Sequence, residues 1–267
     1  MRAWIPLGAG CIILVVILAF AIVPDWFAPY DPLAFDFGAL MAQPSAEHVF
    51  GTDQFGRDVL SRTISASRID LEIAVFAMGG PLIIGSLLGL TVGWFGGAAD
   101  SVVGRLADLV VTFPFLVLII AVVAVLGPGL INMYIAVACV GWVAYMRLMR
   151  GEVRVQKATD YVAAGHVLGY GTGRIMFRHV LPNAMRPVLV YAVTDMALAI
   201  LLGSSLGYLG LGAQPPEAEW GVLIADGKNF LTTAPWISLA PGIAIVMAGL
   251  GFSLVGDGLA ALLDVKR

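Results

Sequence analysis

Along this chain the apolar positions come in long blocks rather than in stripes. Residues 4–23 carry no charge, residues 73–99 carry none, and 109–146 stay uncharged throughout. Between Arg186 and Glu217 the only charge is Asp195, and a last apolar block covers 229–256. A bilayer core of ~30 Å needs about 20 apolar residues at ~1.5 Å rise each, so these blocks predict membrane-crossing helices. The block 109–146 is too long for one helix, and Gly127-Pro128-Gly129 divides it into two. The pattern therefore predicts an all-α polytopic membrane protein with six transmembrane helices. The first block lacks a clear small-residue cleavage site and runs into Pro24, Asp25 and Trp26, so a retained helix is expected.

Composition agrees. Residues of the AVILMFWYC set make up 60% of the chain and charged residues 12%, against about 45–50% and about 25% in soluble domains. Too little polar surface remains to cover a core in water, so the expected solvent is membrane lipid. The net charge of −3 argues against nucleic acid as a partner. Cys11 and Cys139 sit in apolar runs without a second cysteine nearby and are expected as small buried hydrophobes.

Lysine and arginine set the orientation. With both termini in the cytoplasm, 11 of the 15 basic residues lie inside, including Arg2, Lys266, Arg267 and the set between Arg147 and Arg186. The chain then divides into an N-terminal transmembrane helix (1–24), an extracytoplasmic segment (25–72) and a five-helix core (73–267). That core carries a long cytoplasmic loop, 147–186. Loops of such length inside compact proteins usually carry function.

Within the loop, Thr159 is placed to cap a short helix from Asp160 to Leu168, which Gly169 and Gly171 stop. Thr172 is expected to cap a second helix that ends before Pro182. Tyr161, Ala164, Gly165 and Leu168 follow i, i+3, i+4, i+7 spacing and share one face. A helix this short is marginal alone. Its small-residue face suits either a brace against the protein's own helix ends or docking to a partner.

Other polar signals are fewer. Asp195 lies inside a span, where a charge costs at least ~2.5–3.5 kcal/mol, so it should face a wet pathway or bond a neighbouring helix. Asp53, Arg57, Asp58 and Arg62 form either an external docking site or an internal ion-pair lattice. No GxxxxGK[ST] phosphate loop occurs, so no nucleotide cofactor is placed on this chain. Gly203-Ser204-Ser205-Leu206-Gly207 has the G-x-S-x-G form of a nucleophile elbow and raises an intramembrane serine protease as an alternative. His48, His166 and His179 all fall in aqueous loops, with His166 and His179 on the opposite side of the membrane from Ser205. A secondary transporter or channel is the other rival, and the absence from this sequence of a Gly/Pro-broken helix pair in matching halves counts against it, as does the docking-type loop.

Several ordered motifs resemble one family. Asp160 to Gly169, followed after nine residues by His179-Val180-Leu181-Pro182, resembles the EAA loop of binding-protein-dependent ABC importer permeases, with Ala163-Ala164-Gly165 at the E-A-A triplet. Ala163 and His179 replace the family's Glu and Ile. The segment Gly51-Thr52-Asp53, Gly56-Arg57-Asp58 and Arg62 is similar to the outer segment of dipeptide/oligopeptide/nickel permeases of the C-subunit type. So are Leu209-Gly210-Leu211-Gly212, Pro215-Pro216 with Trp220-Gly221, and Gly256-Asp257-Gly258-Leu259. Gly203, Ala260 and Ala261 depart from positions where family members often carry an acid or Arg-Asp. The resemblance implies a type I permease core in an inner (plasma) membrane and an ATP-driven importer of a small solute, with di- or oligopeptide first among the candidates. It also implies a homologous second permease subunit, two cytoplasmic ATPase subunits that hold ATP and Mg, and an extracytoplasmic solute-binding protein. Asp160, Tyr161, Ala163, Ala164, Gly165, Leu168, Gly169, Leu181 and Pro182 would form the ATPase-coupling loop.

Overall fold

The computed structural model describes residues 4–263. Arg2, Lys266 and Arg267, counted above toward the basic side, lie outside the described residues. The described chain is helical. Helix α1 (Trp4–Ile22) is followed by the single turn α2 (Pro24–Phe27), an irregular segment to Asp58, and the 37-residue α3 (Val59–Phe95). Then come α4 (Gly97–Val111), α5 (Phe115–Leu126), α6 (Leu130–Lys157), the short α7 (Asp160–Val167) and α8 (Thr172–Ile175). A π-turn, Met176–Val180, leads into α9 (Leu181–Tyr208), and α10 (Trp220–Gly227) precedes α11 (Trp236–Leu262).

Five of these helices are long and apolar enough to cross a membrane. The sixth expected crossing falls on a bent pair: α4 and α5 meet at a 90° bend over Thr112-Phe113-Pro114. At ~1.5 Å per residue the 12 residues of α5 reach only ~18 Å, short of a ~30 Å core. The uncharged block from 109 concealed this break because apolarity alone does not distinguish a straight helix from a bent pair.

Several predicted boundaries shift, for one reason. Charged residues that flank an apolar block lie inside the helices here rather than in loops. Helix α3 starts at Val59 rather than 73, capped by Asp58, whose carboxylate accepts from the Ser61 N–H at 2.8 Å. The span 25–72 is therefore a loop only to Asp58. Helix α6 runs on to Lys157 because Arg150 and Arg154 both pair with Asp100 on α4. The expected loop 147–186 shrinks to 158–171, with α7 inside it. The helix from Thr172 does not end before Pro182: α8, the π-turn and α9 form one continuous run to Tyr208. The wider turn absorbs the proline, with the Leu181 N–H bonded to Met176 O and the Asn183 amide donating to His179 O at 2.8 Å.

Helix α3 is the spine. Gly85 and Gly89 bring it into backbone contact with α6, where a Cβ would lie 2.3 Å from Trp142 O and 2.5 Å from Met146 O. Such small-residue contacts hold helices together where lipid removes any hydrophobic drive between them. Leu90, Tyr145, Met149, Val180 and Val188 form the core between α3, α6 and α9. Helix α1 lies outside, against α11 and α3. Cys11 and Cys139 are exposed on the bundle's surface, not buried as expected. In a lipid-facing bundle the outer surface is apolar too, so an apolar run does not report burial.

The bundle has two ends. One, the loop end, gathers residues 24–58, the 127–129 turn and residues 209–235, joined by the Gly129 N–H to Leu211 O and Trp236 Nε1 to Thr52 O bonds. The other, the α7 end, gathers the ends of α3 and α6 with α7.

Candidate functional site

At the α7 end, Thr159 occupies the N-cap position, but its hydroxyl donates to Gln156 O at 2.6 Å and does not cap α7. Gly169, at φ +74°, ends the helix as expected, with the Tyr170 N–H reaching back to Gly165 O at 3.0 Å. Likewise Thr172 is the first residue of α8, and the cap position belongs to Gly171.

Helix α7 has two different faces. Val162 and Gly165 are buried, Val162 in the core with Trp94, Val153 and Ile175, and Gly165 with its open side 3.5 Å from Ile175. His166 stacks on Trp94 at 6.3 Å, and Lys157 Nζ donates to Trp94 O at 2.6 Å. The other face is exposed: Tyr161, Ala163, Ala164, Val167 (88%) and Leu168 (67%). Gly165 is therefore corrected. It was expected at the centre of a free face with Tyr161, Ala164 and Leu168, and it packs inward instead. The i, i+3, i+4, i+7 rule groups residues over more than 100° of arc, enough to straddle the edge between two faces. Asp160 lies in the first turn of α7, Leu181 is half-buried against the core and Pro182 is exposed.

Asp195 sits midway along α9. Its Oδ2 accepts from the buried Tyr145 hydroxyl on α6 at 2.7 Å, and Tyr145 packs edge-on against Tyr191 with ring centroids 5.1 Å apart. Asp195 also lines a cavity of about 380 Å³ between α3, α6 and α9, closed at one corner by Phe115. Asp195 thus makes the expected bond to a neighbouring helix and also faces a cavity. A second cavity, about 430 Å³, follows the α4–α5 bend and shares Phe115, Gly141 and Ala144 with the first.

At the loop end the polar residues form an internal lattice. Asp53 is 2% exposed and receives Arg57 Nε at 2.7 Å and Arg62 Nη1 at 2.5 Å, besides the N–H groups of Phe55 and Arg57. Asp226 on α10 lies 3.8 and 3.7 Å from the two guanidiniums. Burial pushes its carboxyl above the usual range, opposed by Arg62 and Arg57. Asp58 takes His48 Nδ1 at 2.9 Å and the Ser61 hydroxyl at 2.8 Å. Thr52 pairs with Asp58 in an isolated antiparallel bridge, and Trp236 Nε1 donates to Thr52 O. Gly51 and Gly56 turn the segment, and at Gly56 (φ +76°) a Cβ would fall 1.7 Å from Asp36 O.

Beneath this lattice lies a cluster that the motif reading missed. Asp70 and Glu219 are both fully buried, and their side chains face each other. Asp70 Oδ2 accepts from the Trp220 N–H at 3.0 Å, while Glu219 caps α10 through Gly221 N at 2.7 Å and Val222 N at 3.0 Å. Burial holds Glu219 above the ordinary carboxylate range, against the pull of those two N–H groups. Gly207 makes room, since a Cβ there would lie 1.9 Å from Glu219 Oε2. One signal was available: Asp70 shares i, i+3, i+7 spacing with the core residues Ile73 and Ala77.

The residues raised for protease chemistry do not meet. Ser205 Oγ donates to Leu201 O at 2.7 Å, His48 is held by Asp58 at the loop end, and His166 and His179 are at the α7 end.

Residues 85–267 match the family model described as the binding-protein-dependent transport system inner membrane component. The chain is 44% identical over 223 residues to the dipeptide transport system permease protein of Alkalihalophilus pseudofirmus, covering 84% of this chain and 73% of that protein. It is 41% identical to the probable D,D-dipeptide transport system permease protein of Escherichia coli K12, covering 96% and 86% of the two chains. A glutathione transport system permease protein of Pectobacterium atrosepticum is 36% identical, covering 100% and 88%.

Proposed function

The chain belongs to the family of binding-protein-dependent transport system inner membrane components, as a multi-pass permease of an ABC importer, and from that premise we propose its substrate, its partners and how it is driven. The solute is a small peptide, by similarity to permeases named for dipeptide, D,D-dipeptide and glutathione transport. ATP is hydrolysed on two separate cytoplasmic ATPase subunits. A second permease subunit completes the pathway, and a solute-binding protein delivers the peptide from outside.

The observation that carries the coupling mechanism is the division of α7. Its inner face is fixed to the core through Val162 and Gly165, while Tyr161, Ala164, Val167 and Leu168 stand exposed. Exposed apolar side chains grouped on one short helix suit a docking face. Docked in a groove of an ATPase subunit, α7 would pass movement to the ends of α3 and α6 through Trp94, Lys157 and His166. The crossing helices would then alternate access to a pathway that includes the Asp195 cavity. The α7 end faces the cytoplasm, a reading that the basic residues gathered there support. A cysteine at Gly173 should then be labelled only from the cytoplasm and one at Ala39 only from outside; labelling of both from one side would contradict the topology. The function itself is tested by reconstituting the permease pair, ATPases and binding protein in liposomes. ATP-dependent accumulation of a dipeptide is expected, and accumulation that proceeds without ATPase subunits would overturn it in favour of a secondary transporter.

A further inference from the structure

The Asp195 cavity has walls of one kind and a single exception. Ala77, Pro81, Phe115, Leu198 and Leu202 are apolar, and Asp195 is the only charged residue lining the space. Its Oδ2 is occupied by Tyr145, and among the described residues no basic side chain forms an ion pair with it. Every other aspartate in an ion pair named above, at either end of the bundle, has its cation within the protein. A carboxylate at the middle of a span is expensive to keep, and one hydroxyl donor does not replace the hydration it gives up. Such a group has its natural complement in a cation that arrives from elsewhere.

The aromatic surroundings suit one type of cation. Tyr191 lies one turn before Asp195 on the same face of α9 and also lines the cavity. Tyr145, edge-on to Tyr191, fixes both the ring and the carboxylate. An ammonium group has three donors and no acceptor, so it can bond Asp195 while facing the electron-rich surface of a tyrosine ring.

We propose that Asp195 and Tyr191 form a seat for the free α-ammonium group of the transported peptide. The inference rests on the peptide-import function proposed above. The peptides named there share this group whatever their side chains, so a seat for it selects the class without reading sequence. Because it is one point contact in an otherwise apolar cavity, it holds the passing solute weakly, as a pathway requires. Tyr145 is a positioning residue that aims the carboxylate.

The test is ATP-driven uptake of dialanine into liposomes bearing the complete complex and its binding protein. Asp195→Asn should lower the initial rate about tenfold or more, the loss expected for one charge-assisted bond, and Asp195→Glu should restore most of it. Leu198→Lys leaves Asp195 in place but offers it an internal ammonium from one turn away. It should compete for the seat and depress uptake about as strongly. Tyr145→Phe removes the structural bond and keeps the charge, so it should lose less than Asp195→Asn. If Asp195 only ties α9 to α6, Tyr145→Phe will be as damaging as Asp195→Asn, and that result overturns the seat. Uptake by Asp195→Asn and Leu198→Lys at the wild-type rate also overturns it, with peptide import itself left standing. Absence of ATP-driven dialanine uptake by the wild-type complex would instead overturn the proposed function.

Discussion

At the loop end Asp53, Arg57, Arg62 and Asp226 are joined by ion pairs, Asp58 holds His48 and Ser61, and Asp70 and Glu219 accept from the N–H groups that open α10. At the α7 end the short helix is held by the apolar contacts of Val162 and Gly165 and by stacking on Trp94, with its opposite face exposed. Buried ion pairs are directional and fail sharply when one member moves, because the other is left uncompensated. Apolar contacts are non-directional and tolerate small displacements. The first end is built to keep its shape, and the second suits the transmission of movement proposed for it. The polar cross-links act as a cap fixing α3, α10 and α11 to one another, and in the proposed mechanism α7 would act as a lever on the ends of α3 and α6.

If that contrast is right, substitutions should separate by where they fall. The largest loss belongs to Arg62→Ala, which leaves Asp53 buried with one cation fewer. It should destabilise the isolated permease by about 3 kcal/mol, the lower end for breaking a buried pair, read as a fall in melting temperature in detergent. Gly165→Trp comes next. Ile175 lies 3.5 Å from where the Cβ would stand, so alanine fits there and an indole does not. The cost should be about 1–3 kcal/mol, again seen in the melting temperature. The smallest effect belongs to the carboxyl pair. Glu219→Gln keeps an oxygen acceptor for the α10 N–H groups and removes the repulsion with Asp70, so stability should change by less than about 1 kcal/mol. Glu219→Ala loses the cap and should cost about 1–2 kcal/mol. Equal losses for the two would show that charge, not the cap, holds α10.

How far the sequence foretold this can be judged residue by residue. Long uncharged blocks located α1, α3, α6, α9 and α11 because each such helix needs its own run of apolar side chains. Gly169 was legible as a helix stop because a left-handed position nearly dictates its residue type. The lattice of Asp53, Arg57 and Arg62 was foreseen as one of two readings, since opposite charges at short spacing suggest pairing but do not say whether they face inward. The bend at Thr112-Phe113-Pro114 was not read, because its flanks are as apolar as a straight span. Asp70 with Trp220, Arg62 with Asp226 and Tyr145 with Asp195 join residues far apart in the chain, and no local pattern marks such partners. Gly165 was put on the wrong face of α7 because eight residues give barely two turns from which to fix a boundary.

The central claim is that the exposed face of α7 engages an ATPase subunit while its buried face only braces. Ala164→Arg tests this most directly, since Ala164 is exposed one residue before the buried Gly165. The measurement is ATPase co-purification beside the melting temperature of the isolated permease. The predicted result is loss of ATPase recruitment with a melting temperature like that of the wild type. Normal recruitment with a lowered melting temperature would contradict it, and α7 would then be a brace on both faces.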